Sequence, residues 1–252
     1  MTLKDVRALA AVMAFAPVMT LALGRALVAQ ESRPESRYRL FMRRVPRWVL
    51  VSSVAAPVLL IGGWTWAAAI QPVPFDAVVR TISDLAARDT PHRWLMTTAL
   101  VGVGLSHLAT AYALAPAAAH GRLVHGLGGL ATLGVAAFPL PSGRGSSAAH
   151  TAAATVAFIS LAAWPAFAWV RRPGPGQVVA AVLGPRVSAA STSALLLAVG
   201  WFFTELLVGG DKVGLAERVA AGAQAVWPLV VALSLRKTQP NLGTVSVDPG
   251  QT

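Results

Sequence analysis

Six residues carry most of the chemistry open to this sequence: Ser83, Asp84, His150, Glu205, Glu217 and Arg218. Imidazole with carboxylate is a donor set that suits a divalent metal, and His150 with Asp84 are the first ligands to consider. A carboxylate orienting His150 as general base, with Ser83 as nucleophile or substrate contact, is the other chemistry these residue types allow. No paired-histidine metal helix or other compact motif joins them, and each has a structural role to weigh against the chemical one. Ser83 suits a helix N-cap with Asp84 in the first turn, and Glu217 suits a helix start. Arg218 can snorkel to headgroups, and His150 can be a hydrogen-bonded interfacial histidine. Glu205 lies within the apolar run LLLAVGWFFTELLVGG. An unpaired carboxylate there is costly, so a salt bridge to Arg218 or Arg88 is expected.

His107 and His125 raise a different chemistry, a haem held by two histidines at matching depth. The spans expected below put His125 about three residues from the inner end of its helix and His107 about nine, a mismatch of roughly 9 Å at the helical rise. That argues against haem and for a His107 hydrogen-bonded between helices. No cofactor is identified from the sequence, a divalent metal remaining the candidate. The runs Gly102-Val103-Gly104 and Gly126-Leu127-Gly128-Gly129 favour close helix contact and lack the strand–helix context of a phosphate loop.

What must position these groups follows from composition. Apolar residues make up 55% of the 252 and charged residues only 12%, with a mean hydropathy of +0.61. A soluble domain would carry about a quarter charged residues. The apolar residues fall in runs near the length of about 20 that crosses a hydrocarbon core. The fold class expected is all-α, a polytopic transmembrane helix bundle. The net charge of +11 does not point to nucleic acid, because the arginines sit in loops between apolar runs, where they meet anionic lipid. Cysteine is absent, which removes disulfides and thiolate chemistry.

Six spans are expected at Trp48–Ile70, Trp94–Pro116, Leu123–Leu140, Ala148–Val170, Val187–Gly209 and Leu215–Leu235, a six-helix domain over 48–236. A seventh helix is expected in 1–30, at Ala8–Gly24, kinked by Pro17. A cleaved signal peptide is its rival, against which Ala26–Gln30 makes a poor cleavage site. Residues 31–47 hold six arginines and two glutamates and read as a basic cytoplasmic loop, and 237–252 as a disordered cytoplasmic tail. With 31–47 inside, the inner side holds 13 Lys and Arg against 8 outside. This orientation puts the C-terminus in the cytoplasm and the polar loop Gln71–Arg93 outside. The Ala, Gly, Val and Arg content points to a GC-rich bacterial genome, and the cytoplasmic membrane of a bacterium is the expected location. Ser83, Asp84, His150, Glu205, Glu217 and Arg218 then share one level near the outer interface, although topology alone does not bring them together in the bilayer plane.

Four short motifs stand in fixed order relative to the spans: Thr81-Ile82-Ser83-Asp84-Leu85, Phe138-Pro139, His150-Thr151 and Gly214-Leu215-Ala216-Glu217-Arg218. Their order and spacing resemble the bacterial membrane family known as domain-of-unknown-function family 998, over roughly Val45–Arg236. The resemblance implies a fold of about six transmembrane helices and brings no activity or cofactor. The expected role is to bind or handle a membrane lipid or other hydrophobic small molecule in an outer-facing polar pocket. An intramembrane lipid hydrolase, metal-assisted or not, is the enzyme alternative, and a transporter or a structural partner subunit the others.

Overall fold

The computed structural model describes residues 45–142, 145–170 and 181–237. The expected N-terminal helix, most of the basic 31–47 loop and the tail beyond Lys237 lie outside the described residues. Seven α-helices and no strand occur among the described residues: α1 (Trp48–Ala69), α2 (Ile82–Leu85), α3 (Trp94–Ala113), α4 (Ala119–Ala137), α5 (Ala148–Ala168), α6 (Pro185–Val208) and α7 (Val213–Lys237). A single 3-10 turn, Ala181–Leu183, precedes α6. All but α2 are long, and five of those six are apolar enough to cross a membrane. The sixth, α4, falls short because its first turn holds His120 and Arg122 and its length holds five glycines. This is a polytopic helical membrane protein.

The long helices form a closed ring in chain order. Each of α1, α3, α4, α5, α6 and α7 packs on the next, and α7 returns to α1. Only α2 stands apart from this order, seated against α1 and α7. Large apolar side chains such as Val51, Val58, Leu105, Leu197 and Val208 point outward, as a lipid-facing surface requires. Trp48 and Trp66 are exposed near the two ends of α1, where amphipathic rings suit the headgroup level.

The α3–α4 corner departs from the expected spans. The first ends at Ala113 rather than Pro116, and the second begins at Ala119 rather than Leu123. Pro116 disfavours helical backbone just before it. Arg122 then makes an early start of α4 workable, since its guanidinium donates to the carbonyls of Ala111 (2.9 Å) and Tyr112 (2.6 Å) at the end of α3. With these bounds His107 lies six residues before the end of α3 and His125 six residues after the start of α4. The depth mismatch expected from the sequence is thus absent. The rings meet, with His107 Nδ1 2.9 Å from His125 Nε2, and His125 stacks on Trp164 of α5. Nitrogens this close leave no room for an iron between them, so the pair ties α3 to α4 rather than holding haem.

Close approach of α3 and α4 allows this contact. A Cβ on Gly129 would stand 2.9 Å from the Gly104 carbonyl oxygen and 3.0 Å from the Leu108 nitrogen, both backbone atoms that cannot swing aside. Gly129→Val is therefore expected to lower the thermal midpoint of the purified protein, with an overpacking cost of about 1–3 kcal/mol. Gly62→Ala is the control, since nothing lies within 4 Å of its added carbon. That variant is expected to leave the midpoint unchanged or slightly raised.

Candidate functional site

The site is built around α2, a single helical turn lodged in one end of the ring. Thr81 starts it in extended backbone, and its hydroxyl accepts from the Asp84 N–H at 3.1 Å. Asp84 reaches back to accept from the Thr81 N–H at 2.9 Å. This capping box satisfies two free donors reciprocally. The N-cap is therefore Thr81 and not Ser83, a correction of two residues that Thr81-x-x-Asp84 accounts for. Burial pushes the Asp84 carboxyl above the usual range. The Thr81 hydrogen bonds and the charges of Arg80 and Arg218 oppose the shift without cancelling it.

Helix α7 holds this turn in place. Glu217, 4% exposed, accepts from the Ile82 N–H through Oε2. Its neighbour Arg218 does not reach out to headgroups. Through one guanidinium nitrogen it donates to the carbonyls of Ala77 and Arg80, each at 2.8 Å, and of Gly214 at 2.9 Å. Gly214 is where the loop crosses the start of α7, and a Cβ there would collide with the Ala77 and Arg80 carbonyl oxygens. The Leu215 N–H donates to Val78 across the same crossing.

Ser83 faces two acceptors. Its hydroxyl lies 3.1 Å from His150 Nε2 and 3.4 Å from Glu217 Oε1. His150 sits in the first turn of α5, where its own N–H donates to the Ser147 hydroxyl. His150 Nδ1 lies 2.9 Å from the Phe138 carbonyl oxygen. A carbonyl only accepts, so Nδ1 carries the proton of the neutral ring. Nε2 is left with its lone pair facing the Ser83 hydroxyl. The result is a serine–histidine pair whose tautomer is set by a backbone carbonyl.

Ser83, Asp84, His150 and Glu217 line one cavity of about 830 Å³. Phe158, Phe202, Phe203 and Leu206 supply its apolar wall. Two of the expected members are elsewhere. Arg218 turns one guanidinium nitrogen to the loop carbonyls, while its Nε and other terminal nitrogen are buried without a hydrogen-bond partner among the described residues. Glu205 lies at the end of α6 on the half-buried rim, accepting from Trp201 Nε1 and the Lys212 N–H, both at 3.2 Å. The salt bridge expected for Glu205 with Arg218 or Arg88 is replaced by these neutral donors, because the turn after Gly209 folds the α6–α7 link back over the carboxylate. Gly209 ends α6 in the left-handed conformation at φ 66°.

Metal binding finds little support in the donor set. No group of three His, Asp or Glu side chains gathers among the described residues. Both His150 ring nitrogens are engaged, and Asp84 is committed to its capping box. Thr81, and Phe138 whose carbonyl orients the histidine, do not stand out among reactive side chains. The capping-box pattern marks Thr81 in the sequence, while no sequence signal marks Phe138 as the acceptor for the imidazole N–H.

The four motifs scattered over the sequence thus meet at one end of the ring. A family model described as a protein of unknown function, DUF998, matches residues 53–234. The chain belongs to that family. No curated protein and no solved structure matches it.

The Glu217–Ile82 contact yields a test of how α2 is held. Glu217→Ala leaves the buried Ile82 N–H without its acceptor, at a cost of about 1–3 kcal/mol. A clear fall in thermal midpoint is expected, with a smaller one for Glu217→Gln, which keeps a carbonyl oxygen in place.

Proposed function

We propose that this membrane protein is a serine hydrolase that cleaves an acyl ester of an amphipathic lipid in its 830 Å³ cavity. The observation that carries the reading is the Ser83 hydroxyl at 3.1 Å from His150 Nε2, with Nδ1 held at 2.9 Å by the Phe138 carbonyl. A nucleophile, a base within reach and a group orienting the base are what acyl transfer needs. The cavity falls in the size range of small-molecule sites, about 300–1,000 Å³. Its polar edge of Ser83, Asp84 and His150 faces an aromatic wall of Phe158, Phe202 and Phe203, which suits a ligand with a polar head and an apolar body.

The chemistry balances with these groups alone. Ser83 Oγ attacks the ester carbonyl carbon while His150 Nε2 takes the hydroxyl proton. The imidazolium gives that proton to the departing alkoxide, leaving acyl-Ser83 and a free alcohol. Water then attacks the acyl-serine, His150 again carries the proton, and a carboxylic acid leaves with Ser83 restored. The metal-assisted version is not favoured, given the donor set above. The excess of basic residues in the loops on the other side argues that the cavity opens on the outer face of a bacterial cytoplasmic membrane, with the C-terminus inside.

A serine-directed fluorophosphonate tests the reading on protein reconstituted in nanodiscs. Wild type is expected to label. Ser83→Ala is expected to abolish labelling, and His150→Gln to slow it by about 10²–10⁴-fold, the usual worth of a general base. Thermal midpoints of both variants verify that the ring is intact. Labelling equal in wild type and either folded variant would leave a cavity that binds lipid without acting on it.

A further inference from the structure

A second, smaller cavity lies inside the ring, directly behind Ser83. It measures about 70 Å³, and Ser83, Glu217, Ala154 and Phe158 belong to the walls of both cavities. Every helix of the bundle except α6 contributes to it. Most of the lining is aliphatic, including Leu60, Leu100, Val135, Ala157 and Leu161. The polar groups at its far end are engaged with the bundle. Thr132 donates to Gly128, Gln224 to Phe158, and His107 is joined to His125. What faces the space is mostly apolar surface, with Ser83 and Glu217 on the wall it shares with the larger cavity.

We propose that this inner cavity is the acyl pocket of the same site, sized for a short chain of about four to six carbons. The proposal rests on the serine–histidine reading. The nucleophile stands where the two spaces meet, so an ester bound across it would place its acyl chain inside the ring. Its alcohol portion would lie in the larger, more polar cavity. The length follows from volume. At about 15 Å³ for each water-sized group, 70 Å³ holds roughly five of them. Long fatty acyl chains do not fit without moving the ring helices apart. The substrate class is therefore a short-chain acyl ester, the acyl group being buried and the alcohol part amphipathic.

The test uses full-length protein in nanodiscs and two series of probes. One is p-nitrophenyl esters from acetyl to dodecanoyl, read as turnover. The other is straight-chain 1-alkanols from butanol to dodecanol, read as the rise in thermal midpoint. Both series are expected to peak at about four to six carbons and to fall away beyond. Ala157→Leu narrows the pocket and is expected to cut hexanoyl turnover by about tenfold or more relative to acetyl turnover. Leu100→Ala widens it and is expected to move the optimum to longer chains. Labelling by a methyl fluorophosphonate, which needs no acyl pocket, reads in both variants whether the serine–histidine pair still reacts.

Flat profiles in both series, or profiles unmoved in both variants, overturn the acyl pocket. Ester turnover with an unmoved length preference overturns the pocket and leaves the hydrolase. A length-dependent alkanol effect that shifts in the variants, without Ser83-dependent labelling, does the reverse.

Discussion

A stretch of irregular backbone inside a ring of membrane helices must find a partner for its N–H and C=O groups, because lipid offers none. Most of what is unusual in this structure follows from that constraint. The polar segment between α1 and α3 folds its middle into the helical turn α2 and lodges it at the end of the ring. The capping box of Thr81 and Asp84 satisfies the turn from within. Glu217 accepts from Ile82, and Arg218 donates to Ala77 and Arg80, satisfying it from α7. A carboxylate and a guanidinium adjacent in sequence thus serve opposite ends of the same backbone problem, one accepting and one donating.

Seating the turn in this way puts Ser83 in the wall between two cavities and against His150. The arrangement is economical in a physical sense. Groups that the bundle needs for hydrogen bonding also define the polar edge of the larger cavity. Glu217 bonds to the turn through one oxygen and faces the Ser83 hydroxyl with the other. Deeper in the ring, α3 and α4 are drawn together by the His107–His125 bond and the close passage of Gly104 and Gly129.

The helices were largely legible in the sequence, since an apolar run of about 20 residues matches the thickness of a hydrocarbon core and little else in a folded chain. Their ends were less so. At the α3–α4 corner the charged Arg122 reads as part of a turn, yet it is the residue that caps α3 from within α4. That shift of four residues moved His125 by more than one helical turn and hid its contact with His107. The site was legible in part. Depth along the membrane placed Ser83, Asp84, His150 and Glu217 at one level. It also placed Glu205 there, because a helix's position in the chain says nothing about which way its side chains face. Glu205 is half-buried at the end of α6, whereas Glu217 near the start of α7 is buried. The orienting carbonyl of Phe138 was invisible, since any residue type supplies a carbonyl.

The closed ring has a consequence for how the molecule comes into being. Successive helices pack on one another, so most of the bundle can assemble as each span enters the membrane. The last interface in chain order, α7 against α1, is the only neighbouring pair in the ring that joins distant parts of the chain. The residues that seat α2, Glu217 and Arg218, sit on α7. Until that helix arrives, the turn bearing Ser83 has no acceptor for the Ile82 N–H and no donor for the Ala77 and Arg80 carbonyls. A nascent chain with five of these six long helices inserted would hold Ser83 unanchored. The seat of Ser83 is thereby completed only when synthesis has passed the final described span.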